Sequence, residues 1–174
     1  MKICVVGDFH YPSRSDSLKL LKELEGENPE LIIGTGDYTI REVIERLERI
    51  AKFTGVRGNV DSEEIELPDF LELEIKGWKI IVFHSNKIYP RGDVGKIYEK
   101  WRERKPDVII FGHTHVPFFS SLCRADARPT YFLNPGSFNG VASGEHAKGM
   151  PSFAVLEVEE NEISVKFINK KEKI

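Results

Sequence analysis

Residues 107–115 read "DVIIFGHTH": four apolar residues, a glycine, then two histidines one residue apart. An uninterrupted short apolar run is the signature of a strand buried on both faces. The glycine marks where it leaves the sheet, because a residue without a side chain lets the backbone turn sharply. The same grammar recurs along the chain. "KICVVGDFH" (2–10) is an apolar run, a glycine, then Asp8 and His10. "LIIGTGD" (31–37) ends on Asp37, "FTGVRGN" (53–59) on Asn59, and "KIIVFH" (79–84) on His84. Seven oxygen or nitrogen donors thus follow five buried strands.

Helical patterns separate these strands. "SDSLKLLKELEG" (15–26) has a Ser/Asp start, leucines at helical spacing and a terminal glycine, and predicts a helix. "TIREVIERLERIAK" (39–52) repeats apolar residues at the helical period, and "GDVGKIYEKWRERKP" (92–106) predicts a third helix. Strand, helix, strand, helix, strand over the first sixty residues is the parallel crossover pattern. "LELEI" and "KIIVFH" around "KGW" predict a hairpin. "RPTYFLN", "PSFAVLEVEE" and "EISVKFIN" add strands, with a turn at Glu160 and Asn161. Residues 1–174 read as one α/β domain with a mixed, two-layered sheet core. In open α/β sheets ligands bind beyond the carboxyl ends of the strands, and all seven donors lie there. Side chains alternate along extended backbone, so Asp8 with His10, and His113 with His115, read as two pairs that each face one side, with Phe9 and Thr114 pointing elsewhere.

Taken singly, each motif has a plain reading: a turn for Asp8 and His10, a left-handed residue for Asn59, a hydrogen-bonded core histidine for His84. Taken together they point to metal, since four of the five histidines land at strand ends beside Asp8, Asp37 and Asn59. Carboxylate, imidazole and amide donors without thiolate suit Mn²⁺, Fe, Zn²⁺, Ni²⁺ or Co²⁺. A closed structural zinc site prefers four ligands, usually with cysteine, and fits this set poorly. Cys4 sits in a strand pattern and Cys123 at a strand end; both read as plain buried or half-buried thiols.

Composition narrows the function further. The net charge of −3 lacks the basic footprint of a protein that grips a large nucleic-acid duplex. The longest apolar runs are far too short to span a membrane. "MKICVVGDFH" opens on a strand without a charged-then-apolar leader, so a cytoplasmic location is expected. The chain has no glutamine and is rich in Glu, Lys and Arg, a bias found in thermophile proteins.

The ordered motifs "DFH" (8–10), "GD" (36–37), "GNVD" (58–61), "FHSN" (83–86) and "GHTH" (112–115), with "NPGS" (134–137), resemble the calcineurin-like metallophosphoesterase superfamily and its small prokaryotic phosphodiesterase branch. The retromer subunit of eukaryotes, a protein-interaction module, resembles the same branch. The resemblance implies a β-sandwich flanked by helices. It also implies two divalent ions, Mn²⁺ first and Ni²⁺, Co²⁺, Fe or Zn²⁺ after it. Asp8, His10, Asp37 and His115 would take one ion. Asp37, Asn59, His84 and His113, which are also the implied catalytic set, would take the other. Two ions roughly 3.5–4 Å apart share a water and bring its pKa toward neutrality, so a bridging hydroxide would hydrolyse a small phosphoester. Two positions depart from the pattern: Val60 stands where many members carry a histidine, and Asn86 where the branch often carries another. The expectation is a phosphodiesterase or phosphatase, with a scaffold on the same fold as the alternative and a homodimer compatible with either. His146, in a polar stretch bracketed by glycines, is the remaining candidate for a general acid.

Overall fold

The computed structural model describes residues 1–124, 127–143 and 149–170. Strand β1 (Lys2–Val6) pairs in parallel with β2 (Leu31–Gly34), and β2 with β3 (Lys52–Gly55). Helices α1 (Leu21–Glu27) and α2 (Arg41–Glu48) make the crossovers. On its other side β1 pairs antiparallel with β9 (Ser152–Val158), which pairs with β10 (Ile163–Asn169). The second sheet contains β4 (Phe70–Ile75), β5 (Trp78–Phe83), β6 (Val108–Phe111), β7 (Pro117–Arg124) and β8 (Ala127–Pro135), in the order β4-β5-β6-β8-β7. Helix α3 (Val94–Trp101) links β5 to β6.

Strand periodicity explains the layering. In β1, Ile3 and Val5 face the other sheet, while Cys4 and Val6 pack under α1 and α2 with Leu24, Val43, Ile44 and Leu47. In β6, Val108 and Ile110 face the first sheet, and Ile109 and Phe111 pack with Ile97 and Trp101 of α3. Both faces of these strands are therefore apolar, which is why their sequences run without polar interruption. The architecture is the expected sandwich of two mixed sheets with helices outside.

Some expectations change. The helix read over 15–26 forms only from Leu21, because the Asn139 side chain accepts the Lys19 amide at 3.1 Å and holds the preceding segment in turns. The helix read over 92–106 is α-helical over Val94–Trp101, capped by the Asp93 carboxylate on the Lys96 amide, and then tightens to a 3₁₀ turn over Arg102–Arg104. Beyond the reading of Cys123 as a strand end, strand β7 had no signal: it lies at a sheet edge with Phe118, Phe119 and Leu122 exposed, so no alternation marks it. Cys123 within it is exposed rather than half-buried, while Cys4 is buried. The hairpin holds, with Lys76 and Gly77 at positive φ as a two-residue turn requires.

Ile110 is fully buried between the sheets. Ile110→Ala is expected to cost about 2–5 kcal/mol in denaturant unfolding. Leu122→Ala, on the exposed edge, should stay within roughly 0.5 kcal/mol of the parent.

Candidate metal centre

The seven donors sit on the loops that leave β1, β2, β3, β5 and β6, and the sandwich brings these loops to one end. Donor atoms of Asp8, His10, Asp37 and His115 lie within 4.8 Å of one another, as do those of Asp37, His84 and His113. Asp37 belongs to both groups. Its Oδ2 is 3.4 Å from His10 Nε2 and 3.2 Å from His84 Nε2. His10 Nε2 and His115 Nε2 approach to 3.1 Å, and Asn59 Oδ1 lies 3.0 Å from His84 Nε2. All seven donors therefore converge, with His113 and His115 falling in different groups.

The grouping is the one the resemblance implies, with Asp8 and His10 together and His113 and His115 apart, but the expected extended backbone is not what aims the side chains. Asp8, His10, Asp37, His113 and His115 all adopt positive φ, between 49° and 75°. Beyond the strand ends the side chains are aimed by left-handed turns rather than by alternation. Phe9 does point away, into the core with Tyr38 and Phe138, and Thr114 accepts from Asn134 Nδ2 at 3.0 Å. A left-handed residue with a side chain costs ~1–3 kcal/mol and persists only where its surroundings enforce it.

The enforcing bonds are explicit. The carbonyl of Asp37 accepts the amides of Phe9 and His10 at 2.9 and 3.0 Å. The Asp8 carboxylate accepts the His113 amide at 3.0 Å, and the Asp8 carbonyl accepts Ser137 Oγ–H at 2.7 Å. Asp61 accepts the amides of Asp37, Thr39 and Gly58 at 3.1, 2.7 and 2.7 Å, tying the loop after β2 to the loop after β3. Gly58 is required there, since a Cβ would stand 2.1 Å from Asp37.

Two histidines are fixed in tautomer as well as in place. His84 Nδ1–H donates to the Thr35 carbonyl and His115 Nδ1–H to the Val141 carbonyl, each at 2.7 Å. Nε2 of both rings is left to face the centre, the arrangement by which outer partners orient metal-binding imidazoles. Burial, with nearby charge, lowers His113 and His115 to pKa about 4, so both are neutral donors at pH 7. Burial raises Asp8 to about 8. Burial would depress His84, but its bond to Asp37 and the charge of Asp8 outweigh it and raise the ring to about 9. The His84 proton then points where an ion would sit. Two buried carboxylates faced by imidazoles, with no lysine or arginine among these donors, form a set that a divalent cation fits in chemistry and charge.

Sequence reasoning did not single out Asp61, Thr35 or Val141. Asp61 carried a signal, the last letter of "GNVD"; the two carbonyls carried none, because they act through backbone. Arg14 and Arg91 were also missed. Burial lowers His10 as it does His113 and His115, and the charge of Arg14 adds to the lowering of His10 and His115, that of Arg91 to the lowering of His113. Arg14 Nη2 donates to the Ala142 carbonyl at 2.7 Å, and Arg91 to Ser143 Oγ. Val60 is exposed and offers only its amide, to Asp37 Oδ1 at 3.1 Å. His146 lies outside the described residues.

Residues 1–161 match the family model of the calcineurin-like phosphoesterase superfamily domain, and the chain belongs to that superfamily. A probable metallophosphoesterase of Methanocaldococcus jannaschii is 40% identical over 137 residues, 79% of this chain and 68% of the relative. One from Methanothermobacter thermautotrophicus is 34% identical over 138 residues, 79% of this chain and 77% of the relative. Among solved structures, Vps29 from Entamoeba histolytica complexed with zinc is similar at a TM-score of 0.83 and 28% identity, covering 98% of each chain. The candidate ligand groups and the family together define a metal-dependent phosphoesterase.

Asp61→Ala leaves three donors without their acceptor. Each buried donor so stranded costs ~1–3 kcal/mol, so unfolding free energy is expected to fall by at least about 2 kcal/mol. Gly58→Ala should act on the same joint by collision with Asp37. Denaturant unfolding of both variants checks this, and Glu63→Ala, on the exposed surface nearby, should be neutral.

Proposed function

We propose that the chain is one metallophosphoesterase domain, a phosphodiesterase with a dinuclear divalent-metal centre. Asp8, His10, Asp37 and His115 hold one ion, and Asp37, Asn59, His84 and His113 hold the other. The observation that carries this is the position of Asp37, shared by two donor groups whose histidines are aimed by carbonyls outside the centre. Two bound ions supply an activated water and neutralise phosphoryl charge. The chain's residues do the rest. Asp37 Oδ2 stands between His10 and His84 and fixes the spacing of the groups. Asp8 anchors the "GHTH" turn through the His113 amide. Arg14 and Arg91 add positive field for an anionic substrate. Mn²⁺ is the first choice of ion, with Ni²⁺, Co²⁺, Fe or Zn²⁺ able to occupy the same donors. We place the protein in the cytoplasm; no helix among the described residues is long and apolar enough to cross a membrane.

A second reading, a protein-interaction scaffold, draws on the likeness to Vps29 and on the exposure of Val116, Phe118 and Phe119 just after the last metal donor. The complete donor set favours the enzyme.

Activity toward a nitrophenyl phosphodiester is expected to vanish with a strong chelator and to return best with Mn²⁺, Ni²⁺ or Co²⁺; undiminished hydrolysis by verified metal-free protein rules the mechanism out. Asp37→Asn should lose more metal and more rate than Asn59→Ala, since only Asp37 serves both groups, and metal analysis with kinetics decides it. Acidity supplies an independent check. Asp8 and His84, raised to about 8 and about 9, hold protons at pH 7 that they must surrender to become donors. Metal uptake should release about one to two protons at neutral pH and weaken as pH falls from 9 to 6. Calorimetry in buffers of different ionisation enthalpy reads the proton count.

A further inference from the structure

Beside the metal centre lies a cavity of about 560 Å³ that shares Asn59 and His84 with it. That volume is in the range of small-molecule sites. The start of β4, the loop after β5 and the end of α3 build it, so it opens from the side of the Asn59 and His84 donors. Its apolar wall is a triad of rings. Trp101 packs on Phe70 and Phe83 with centroids 5.1 and 5.3 Å apart, and Phe70 is the member that reaches solvent, at 38% exposure.

The remainder of the wall mixes neutral polar groups with cations. Arg57, Lys87 and Lys100 line it against a single acid, Asp69. Lys100 Nζ stands 5.0 Å from the Trp101 ring centre. Among the described residues no carboxylate pairs with Lys87 or Lys100.

We propose that this cavity holds the organic part of the substrate: a planar heteroaromatic ring carrying a second anionic group. The ring packs against Phe70, whose own ring already has the Arg104 guanidinium 5.0 Å from its centre, and the anion meets Lys87 and Lys100. The assignment rests on the phosphodiesterase reading for its catalytic meaning, since Asn59 and His84 then join the ring subsite to the reacting phosphate. A ring face and a charged substituent together match this wall better than a purely alkyl group, which leaves the lysines unused. Asn86 lines the same cavity and adds a neutral amide with both donor and acceptor atoms.

The test is an NMR titration of metal-free protein with thymidine monophosphate. Saturable shifts are expected at the Phe70 and Lys87 amides and at the Trp101 indole. Binding should be at least about ten-fold tighter than that of thymidine or inorganic phosphate alone. Phe70→Ala, and separately the Lys87→Ala, Lys100→Ala pair, should each weaken it by about five-fold or more. Unmoved cavity signals overturn the proposal, as do shifts reproduced in full by inorganic phosphate or by thymidine. A second arm uses metal-loaded protein and two nitrophenyl diesters, one of methanol and one of thymidine with a further phosphate. The thymidine diester should be preferred by about ten-fold in kcat/KM, and the preference should shrink in Phe70→Ala. Cavity shifts without hydrolysis of either diester refute the phosphodiesterase reading and leave the cavity assigned. Hydrolysis of the methyl diester with unmoved cavity signals refutes the cavity assignment alone.

Discussion

Asp37 spends every polar atom it has at the meeting point of three loops. Its carbonyl holds the amides of Phe9 and His10, its amide is held by Asp61, and its carboxylate takes the Val60 amide while standing between two imidazoles. Those bonds keep the loops after β1, β2 and β3 in register with one another. The buried charge that results is tolerable only because His84 lies against it and because the site fits further positive charge. Contact with His84 accordingly holds Asp37 below the usual carboxylate range, although burial alone would raise it. Backbone strain at these loops and the site's fit for cations thus meet at one residue.

The strands, their order of donors and the sandwich were legible because burial on both faces leaves an unmistakable pattern: "KICVV", "LIIG" and "VIIF" have no solvent side to interrupt them. The seven donors were legible because each follows such a run. Strand β7 was hidden for the converse reason, since "PFFSSLCR" lies on an edge and exposes both kinds of residue. The start of α1 was misplaced because Asn139, more than a hundred residues away, takes the Lys19 amide. Local propensity carries no trace of such a partner.

The aiming of the donors was the subtler loss. Alternation along a strand and a left-handed turn can both bring residues i and i+2 into one site, but they predict different partners. The turns send His113 and His115 to different groups, the partition the resemblance implied and strand alternation alone did not. Carbonyl partners such as Thr35 and Val141 are invisible for a simpler reason: every residue has a carbonyl, and only the fold decides which one meets an imidazole.

The place of β1 in its sheet has a consequence for how the protein comes to be. It lies between β2, its near neighbour in sequence, and β9, one of its most remote. Ser137 and Val141, which brace Asp8 and His115, also come late. A ribosome therefore delivers every candidate metal donor before it delivers these two braces. Until β9 arrives, β1 has an open edge, the kind of surface that pairs with strangers. The closure that ends this exposure joins distant parts of the chain and is slow for that reason. Function is assembled last, by the same event that seals the sheet.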